Sequence, residues 1–310
     1  MNENIRLDEQ WRSGIIQKGR FLDQDTSGFI LPLGKPVLAG TSWENIVAKA
    51  RERYTKEYGK ALHSLYLRGS VARGQAIPGN SDLDMIGLLH YNAMRDKYLA
   101  WHHVDWENTF SIELNADLCF NVKPDFVVAS MNRGFLERNN SLPSILATQS
   151  TCIYGTDIRE HLPKFRSDEA MMYYNGRMKL FLLDCYSRLT TDPSPQSVVE
   201  MCRNITKAMI RCAFELVLIR EGRYTRDLYL CCTTFEKHHP EKAELAWNSL
   251  RLYINPCQNI SRLLSLIYEF GHWLVLQERT IELRHRPTFA QRILHETGAR
   301  RAGLISRVPQ

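Results

Sequence analysis

Two aspartates, Asp82 and Asp84, stand two positions apart at the start of an apolar run that extends to Leu89. Residues two apart on a β-strand project from the same face, so the sequence predicts two neighbouring carboxylates. Carboxylates among apolar residues are costly to bury without a cation. Oxygen ligands of this kind suit Mg²⁺, which proteins bind through one or two carboxylates together with substrate phosphates. The pair therefore predicts a magnesium site.

A glycine–serine pair, Gly69 and Ser70, follows a short apolar run over residues 65–67. Glycine lets the backbone approach a ligand closely, and a serine at a helix start can cap the helix or bond a phosphate oxygen. Residues 71–81 leave room for one short helix and a return turn. The sequence thus predicts a strand, a phosphate-binding turn, a short helix and a second strand that carries the two aspartates.

This pattern resembles the nucleotidyltransferase superfamily, the fold shared by polymerase-β-like enzymes and antibiotic nucleotidyltransferases. The family pattern is a Gly-Ser turn, a short helix and then Asp-x-Asp, and Gly69-Ser70 and Asp82-Leu83-Asp84 match it. Arg73 is also frequent at its position in that family. The resemblance implies that Gly69, Ser70 and Arg73 bind a nucleoside triphosphate while the aspartates bind Mg²⁺. It is strongest over residues 60–130 and continues more loosely, as a likeness to two-domain bacterial members such as the aminoglycoside nucleotidyltransferases, into the C-terminal half.

The resemblance also implies a third acid on an adjacent strand. Asp125 is the preferred candidate, because it opens an apolar and β-branched run that reaches Ala129. It could complete the metal site with the first two aspartates or accept the proton of the attacking hydroxyl as a general base. Pro124 has no backbone donor, so this strand should begin there or lie at an edge of the sheet. Glu113 and Asp117 are rival candidates, although their setting is typical of the end of a helix.

The resemblance implies an α/β (α+β) protein in which a small mixed-sheet domain precedes an all-α helical bundle, and the periodicity of the C-terminal half is helical. The expected boundaries are a nucleotidyltransferase domain with an N-terminal extension over residues 1–160, a bundle over 161–283 and a basic tail over 284–310. Thr41 and Glu44 form a capping box that opens a helix ending at Gly59. A polar and aromatic helix is predicted from about residue 92 to residue 118. Antiparallel helices of the length predicted beyond residue 168 form bundles.

Two arginines of the predicted bundle, Arg211 and Arg226, are candidate triphosphate ligands. Guanidinium groups have the fork geometry for bidentate phosphate contacts. Both positions are loosely similar to basic phosphate-binding positions of streptomycin-modifying relatives. The alternative is an ordinary ion-paired or snorkelling helix arginine, and Lys207 and Arg203 are further candidate phosphate ligands.

Composition places the chain among enzymes of a reducing compartment. Its 310 residues carry a formal net charge of +6, and residues 284–310 supply most of it through six arginines against one acid, Glu296. The near-neutral remainder does not favour a polymerase on long nucleic acid, although the tail could contact nucleic acid. Eight cysteines without a Cys-x-x-Cys pair, together with the lack of an apolar signal core, predict a cytoplasmic protein with no membrane partner. The oligomeric state stays open.

The predicted reaction is Mg²⁺-dependent nucleotidyl transfer, in which an acceptor hydroxyl attacks the α-phosphorus of a nucleoside triphosphate and pyrophosphate leaves. The preferred version moves AMP from ATP onto a small aminoglycoside-like acceptor, an antibiotic modification. Acidic side chains such as Asp105 and Glu107 could face that cationic acceptor. The alternative is a toxin-like or regulatory enzyme that modifies RNA or protein. A non-catalytic nucleotide sensor is disfavoured because Asp82 and Asp84 are both present.

Overall fold

The structure is a computed structural model that describes residues 15–17, 19–79, 81–90, 102–130, 141–174 and 177–285. It forms two compact units. One unit comprises residues 29–165, and the other joins the described residues before 29 to residues 166–285. The grouping of the segment before residue 29 with the second unit differs from the sequence-based boundaries, which remain a prediction for the domains. The basic tail lies outside the described residues except for residues 284 and 285.

The unit formed by residues 29–165 contains a mixed sheet. Its strands are β1 (Leu62–Arg68), β2 (Leu83–Leu89), β3 (His102–His103), β4 (Pro124–Ser130) and β5 (Ser150–Gly155). They lie in the order β3-β4-β2-β1-β5. Strands β2 and β4 pair in parallel, whereas β1 is antiparallel to β2 and β5, and β3 is antiparallel to β4. The mixed sheet expected from the sequence is confirmed.

Four α-helices accompany the sheet among the described residues of this unit: α1 (Glu44–Tyr58), α2 (Gly69–Ala72), α3 (Glu107–Ala116) and α4 (Ser141–Gln149). The helix α1 ends before Gly59 as the sequence predicts, but it begins at Glu44, after Trp43, and not directly after Thr41 as the capping box predicts. Its Glu44 carboxylate accepts the Gly40 backbone N–H at 2.9 Å, while the Thr41 hydroxyl accepts the Trp43 N–H at 3.3 Å. These contacts satisfy backbone donors that a helix start would otherwise leave unpaired.

Aromatic packing fixes α1 and α3 against the sheet. Tyr54 is fully buried, and its ring lies 5.1 Å from that of Trp106 and 5.5 Å from that of Phe126, between ring centroids. Its hydroxyl donates to the Val127 carbonyl at 3.1 Å, so the one polar atom of this ring is satisfied within the core. A β-carbon on Gly87 would lie 2.9 Å from the same ring, which is why a glycine stands at this point of β2. The packing keeps β2 and β4, which carry Asp84 and Asp125, in a fixed register.

The single helix predicted from about residue 92 to residue 118 is wrong. Residues 91–101 lie outside the described part of the chain, and His102 and His103 form a short strand that pairs with Val128 and Val127 of β4. The helix begins only at Glu107. The free hydrogen-bonding edge of β4 explains the difference, because pairing with a sheet satisfies the backbone of these histidines as well as a helix would.

The second unit is helical, as the sequence predicts for the C-terminal half. Its helices are α5 (Met178–Thr191), α6 (Pro195–Glu221), α7 (Leu228–His238), α8 (Ala243–Ile254), α9 (Ile260–Leu266) and α10 (His272–His285), with a π-helical turn over Ile267–Gly271 before α10. The longest, α6, packs against α5, α7 and α8. It ends at Gly222, which adopts a left-handed conformation with φ +67°. None of the described helices combines the length and the apolar character that crossing a membrane requires.

Two buried carboxylates lie within this helical unit. Glu215 on α6 is 2% exposed, and its two oxygens accept the backbone N–H groups of Tyr173 and Tyr174, each at 2.8 Å. Glu278 is 3% exposed and accepts the Met178 N–H at 3.3 Å. Glu215 thereby joins α6 to the segment that leads into α5.

Replacing Glu215 by glutamine should lower the free energy of unfolding by about 2–4 kcal/mol, because a charged double acceptor is lost and one buried N–H then faces an amide donor. Chemical denaturation measures this loss. Glu200→Gln, on an exposed position of the same helix, is the matched control and should change stability by less than about 0.5 kcal/mol. Equal effects of the two variants would contradict the role given to Glu215.

Candidate active site

The turn that follows β1 brings its backbone against Asp84. Gly69 has φ +74°, a left-handed conformation, and opens the four-residue helix α2. A β-carbon on Gly69 would lie 2.0 Å from Asp84 Oδ2. Glycine is therefore required here for two reasons, the backbone conformation and the space that the carboxylate occupies.

Strand register places three charged residues side by side across the sheet. In the antiparallel pair β1–β2, Arg68 is opposite Asp84, and in the parallel pair β2–β4, Asp84 is opposite Asp125. On the far side of β1, Ser150 of β5 is opposite Arg68. Adjacent strands lie about 4.8 Å apart, so a long side chain on β1 can span β2 and reach β4.

The Arg68 guanidinium contacts both carboxylates. Its Nη1 lies 3.0 Å from Asp84 Oδ1, and its Nη2 donates to Asp125 Oδ2 at 2.5 Å. The side chains are 13% exposed for Arg68, 17% for Asp84 and 34% for Asp125, so solvent screens these charges little. Arg68, which bridges the two carboxylates, is the site residue that the sequence analysis missed. The available signal was a charged residue that ends the otherwise apolar strand Leu62–Arg68.

Burial and mutual charge set the protonation of the three groups. Burial is the largest influence on Asp84 and raises its pKa to about 6; Arg68 opposes this rise, and Asp125 and Asp82 add to it. Burial is also the largest single influence on Asp125 and raises its pKa, but the charge of Arg68, a hydrogen bond with Asp84 and the charge of His103 together bring the pKa of Asp125 below its ordinary value. For Arg68, burial works against the charged form, yet the two carboxylates keep its pKa above the ordinary value. At neutral pH all three groups are charged.

The other residues predicted for the nucleotide and metal site lie around this row. Asp82 immediately precedes β2 and is exposed, so the strand begins one residue later than predicted. Ser70 lies in α2, half-buried, and its carbonyl accepts the Gln75 N–H at 2.9 Å. Arg73 ends α2, and its Nε donates to the Gln75 side-chain carbonyl at 3.0 Å. Asp125 lies on a strand that begins at Pro124, as predicted.

Two further polar groups lie beside Asp125. His103 Nδ1 is 3.8 Å from Asp125 Oδ1 and 3.8 Å from Glu107 Oε2. The other oxygen of Glu107 accepts the Phe126 N–H at 2.6 Å. The rival acids of the sequence analysis lie elsewhere and pair with α1, Asp117 with Lys49 at 3.2 Å and Glu113 with Arg53 at 3.6 Å.

The candidate phosphate-binding arginines belong to the helical unit, where they lie near each other. Arg211 Nη1 donates to the Tyr174 hydroxyl at 3.1 Å, and its Nη2 donates to the Arg226 carbonyl at 3.4 Å. Burial would raise the pKa of Tyr174, but the charges of Arg211 and Arg226 bring it below its ordinary value. Their role in phosphate binding stays a prediction.

Within the described ranges, no group of three or more His, Cys, Asp or Glu side chains is arranged to hold a metal ion. A site with Asp82, Asp84 and Asp125 as joint ligands therefore remains a prediction. The chemistry of the individual groups does fit Mg²⁺: Asp84 offers a carboxylate oxygen toward the Gly69 turn, and the exposed Asp82 is two residues away. The two terminal nitrogens of Arg68 contact Asp84 and Asp125.

The elevated pKa of Asp84 predicts a pH-dependent stability. Its pKa rises from the ordinary 3.8 to about 6 on folding, so its contribution is complete below pH 3.8 and is lost as the pH rises through 6. Relative to Asp84→Asn, the wild-type protein should therefore lose about 3 kcal/mol of unfolding free energy between pH 4 and 7. Asp125 contributes in the opposite sense. Its pKa is lowered on folding, so its contribution to stability is lost as the pH falls.

Denaturant titrations of both proteins across this pH range, in the presence of a chelator, measure the difference. A difference that does not change with pH would contradict the assignment of the elevated pKa to Asp84.

No protein-family model matches this chain, and no curated protein matches it. Among solved structures, the chain is similar to spectinomycin adenyltransferase AAD(9) from Enterococcus faecialis, crystallised with ATP and spectinomycin. The two are 14% identical with a TM-score of 0.41, and the match covers 74% of this chain and 98% of the other. A likeness of this size does not assign a function to this chain.

Proposed function

We propose that the protein is a nucleotidyltransferase that moves a nucleoside monophosphate, AMP from ATP, onto a hydroxyl of a small acceptor. The observation that carries the proposal is the contact between the Gly69 turn and the Asp84 carboxylate. The turn predicted to hold phosphates and the acid predicted to hold the metal lie against each other, because the sheet pairs their strands and Gly69 leaves room for the Asp84 carboxylate. The motif resemblance described above predicts the same pairing of groups.

Asp82 and Asp84 are the residues that would hold Mg²⁺. The bound ion would neutralise charge on the triphosphate and on the attacking and leaving oxygens. Asp82 is exposed, so this end of β2 is accessible to solvent.

The backbone at Gly69 and Ser70 would bind the triphosphate. Gly69 opens the helix α2 with φ +74°, and the Ser70 hydroxyl can donate to a phosphate oxygen. Arg73, directly after α2, is the proposed cationic ligand of the phosphates within this unit, and the predicted role of Arg211 and Arg226 in phosphate binding is a separate proposal for the helical unit.

Asp125 would act on the acceptor. Because Arg68 keeps the pKa of Asp125 low, the carboxylate stays ionised and can accept a hydrogen bond from the acceptor hydroxyl. This contact orients the hydroxyl toward the α-phosphorus. The Asp125 carboxylate then receives the hydroxyl proton as the bond to phosphorus forms. Of the two roles that the sequence leaves open for Asp125, the proposal assigns that of the general base.

A labelled-nucleotide assay tests the proposal. The protein is incubated with Mg²⁺ and each of four α-labelled nucleoside triphosphates, in the presence of aminoglycosides, spectinomycin, tRNA or protein. Label transferred from ATP to an aminoglycoside-like compound, with release of pyrophosphate, is the expected result. Label on RNA or protein would identify the toxin-like or regulatory alternative. Failure to label any acceptor, when the folded protein is present, would refute nucleotidyl transfer.

A further inference from the structure

We propose that Arg68 takes the place of a metal ion between Asp84 and Asp125, so that the site binds one divalent ion rather than two. The inference rests on the proposed function and specifies its metal content. Enzymes that transfer nucleotides can use two metal ions, about 3.5–4 Å apart, which jointly contact the attacking and leaving oxygens. Here a guanidinium group of the protein lies where carboxylates would share such an ion.

The position of Arg68 follows from the sheet itself. The register of β1, β2 and β4 sets Arg68, Asp84 and Asp125 in one row, with the arginine at the end of the row and Asp84 in the middle. The arginine side chain then crosses Asp84 to reach Asp125, with nitrogen–oxygen distances of 3.0 and 2.5 Å. Because paired backbones fix all three residues, the contact is part of the fold.

The contacts divide the carboxylate oxygens into two groups. Arg68 binds Asp84 Oδ1 and Asp125 Oδ2, so these two oxygens already share one cationic group. Asp84 Oδ2 instead faces the Gly69 turn, on the side of the nucleotide site. The remaining oxygen of Asp125, Oδ1, faces His103. An ion that binds Asp84 through Oδ2 leaves the contact between Arg68 and Asp125 intact.

Charge supports the same stoichiometry. The carboxylates of Asp84 and Asp125 share the one guanidinium of Arg68, so these three groups keep a single net negative charge, too little to hold two divalent ions. Glu107 and His103, which lie 3.8 Å apart, flank the Asp125 end of the row. A second divalent ion between Asp84 and Asp125 would lie next to the charged guanidinium in a weakly screened environment, where like charges repel strongly.

A titration with Mn²⁺ alone, in which electron paramagnetic resonance reports the free ion, tests the inference without any turnover. The wild-type protein should bind one Mn²⁺ per chain. Asp84→Asn should weaken this binding about a hundredfold or more, whereas Asp125→Asn should weaken it by less than about tenfold. Asp157→Asn is the matched control, since the Asp157 side chain is as exposed as that of Asp125 and pairs with Arg159 in the same unit at 2.7 Å. This variant should leave Mn²⁺ binding unchanged.

Removal of the guanidinium charge provides the complementary test. Arg68→Met should allow a second Mn²⁺ to bind and should show a larger rise in melting temperature on Mn²⁺ addition than the wild type. Arg68→Lys, which keeps the charge, should still bind one ion. If Arg68→Met does not fold, the comparison of Asp125→Asn with Asp84→Asn decides.

Two bound ions in the wild type, or equal losses in Asp84→Asn and Asp125→Asn, would overturn the inference and leave nucleotidyl transfer intact. Wild-type protein that binds no Mn²⁺ would overturn it as well. The labelled-nucleotide assay reports separately on the proposed function.

Discussion

Replacing Asp84 by asparagine should abolish nucleotidyl transfer while the protein stays folded. Asparagine has the same shape and keeps an oxygen for Arg68, but it lacks the charge that holds a metal ion. The ion supplies several kcal/mol of charge stabilisation, so kcat/KM should fall at least about a thousandfold. The fold should tolerate the change at neutral pH, because burial already makes the ionised form of Asp84 unfavourable, as its pKa of about 6 indicates.

Transfer of labelled nucleotide and thermal unfolding of the same preparations measure the two effects. Asp117→Asn is the matched control, because Asp117 is a 74% exposed acid of the same unit that pairs with Lys49. That variant should keep the wild-type rate. Near-normal turnover by Asp84→Asn would remove Asp84 from the set of essential residues.

Replacing Gly69 by alanine should impair both stability and activity. A left-handed backbone costs an alanine roughly 1–2 kcal/mol, and displacement of the buried Asp84 carboxylate from its contact with Arg68 adds to this. We expect a loss of about 2–4 kcal/mol in unfolding free energy. Because a 1 Å shift of a catalytic group can reduce the rate about a hundredfold, kcat should fall by a similar factor.

Gly40→Ala separates the two contributions. Gly40 has φ +73°, nearly the value at Gly69, but a β-carbon there would have no neighbour within 4 Å. This control should show only the conformational cost, with an unchanged rate. If Gly69→Ala behaved like Gly40→Ala in both stability and rate, the close approach of the turn to Asp84 would not matter for function.

Local sequence patterns predicted the core of the candidate site. The Gly69-Ser70 turn, the strand that carries Asp84 and the strand that starts at Pro124 each depend on a few neighbouring residues, and each forms as expected. The mixed α/β class and the helical C-terminal half also follow from local periodicity. The roles of Asp82, Asp84 and Asp125 in metal binding and catalysis remain predictions.

Features that depend on pairing between distant segments could not be read from the sequence. The contact between Arg68 and Asp125 could not be predicted, because the two residues are 57 positions apart and only the strand register brings them together. The histidines His102 and His103 have no strand signal of their own, and the edge of β4 determines their conformation. Likewise, nothing in the composition of the segment before residue 29 indicates that it groups with the helical unit.

The strand order has a consequence for how the protein is made. Strand β1 pairs on one side with β2, which follows closely in the chain. On its other side it pairs with β5, which is synthesised more than 80 residues later. Strand β2 likewise pairs with β4, which is also synthesised after it. Closing such long loops carries an entropic cost before any contact rewards it, and it slows folding. A nascent chain that ends before β4 has Asp84 but lacks the partner strand that carries Asp125. The row of charges is therefore assembled only after most of the first unit has left the ribosome.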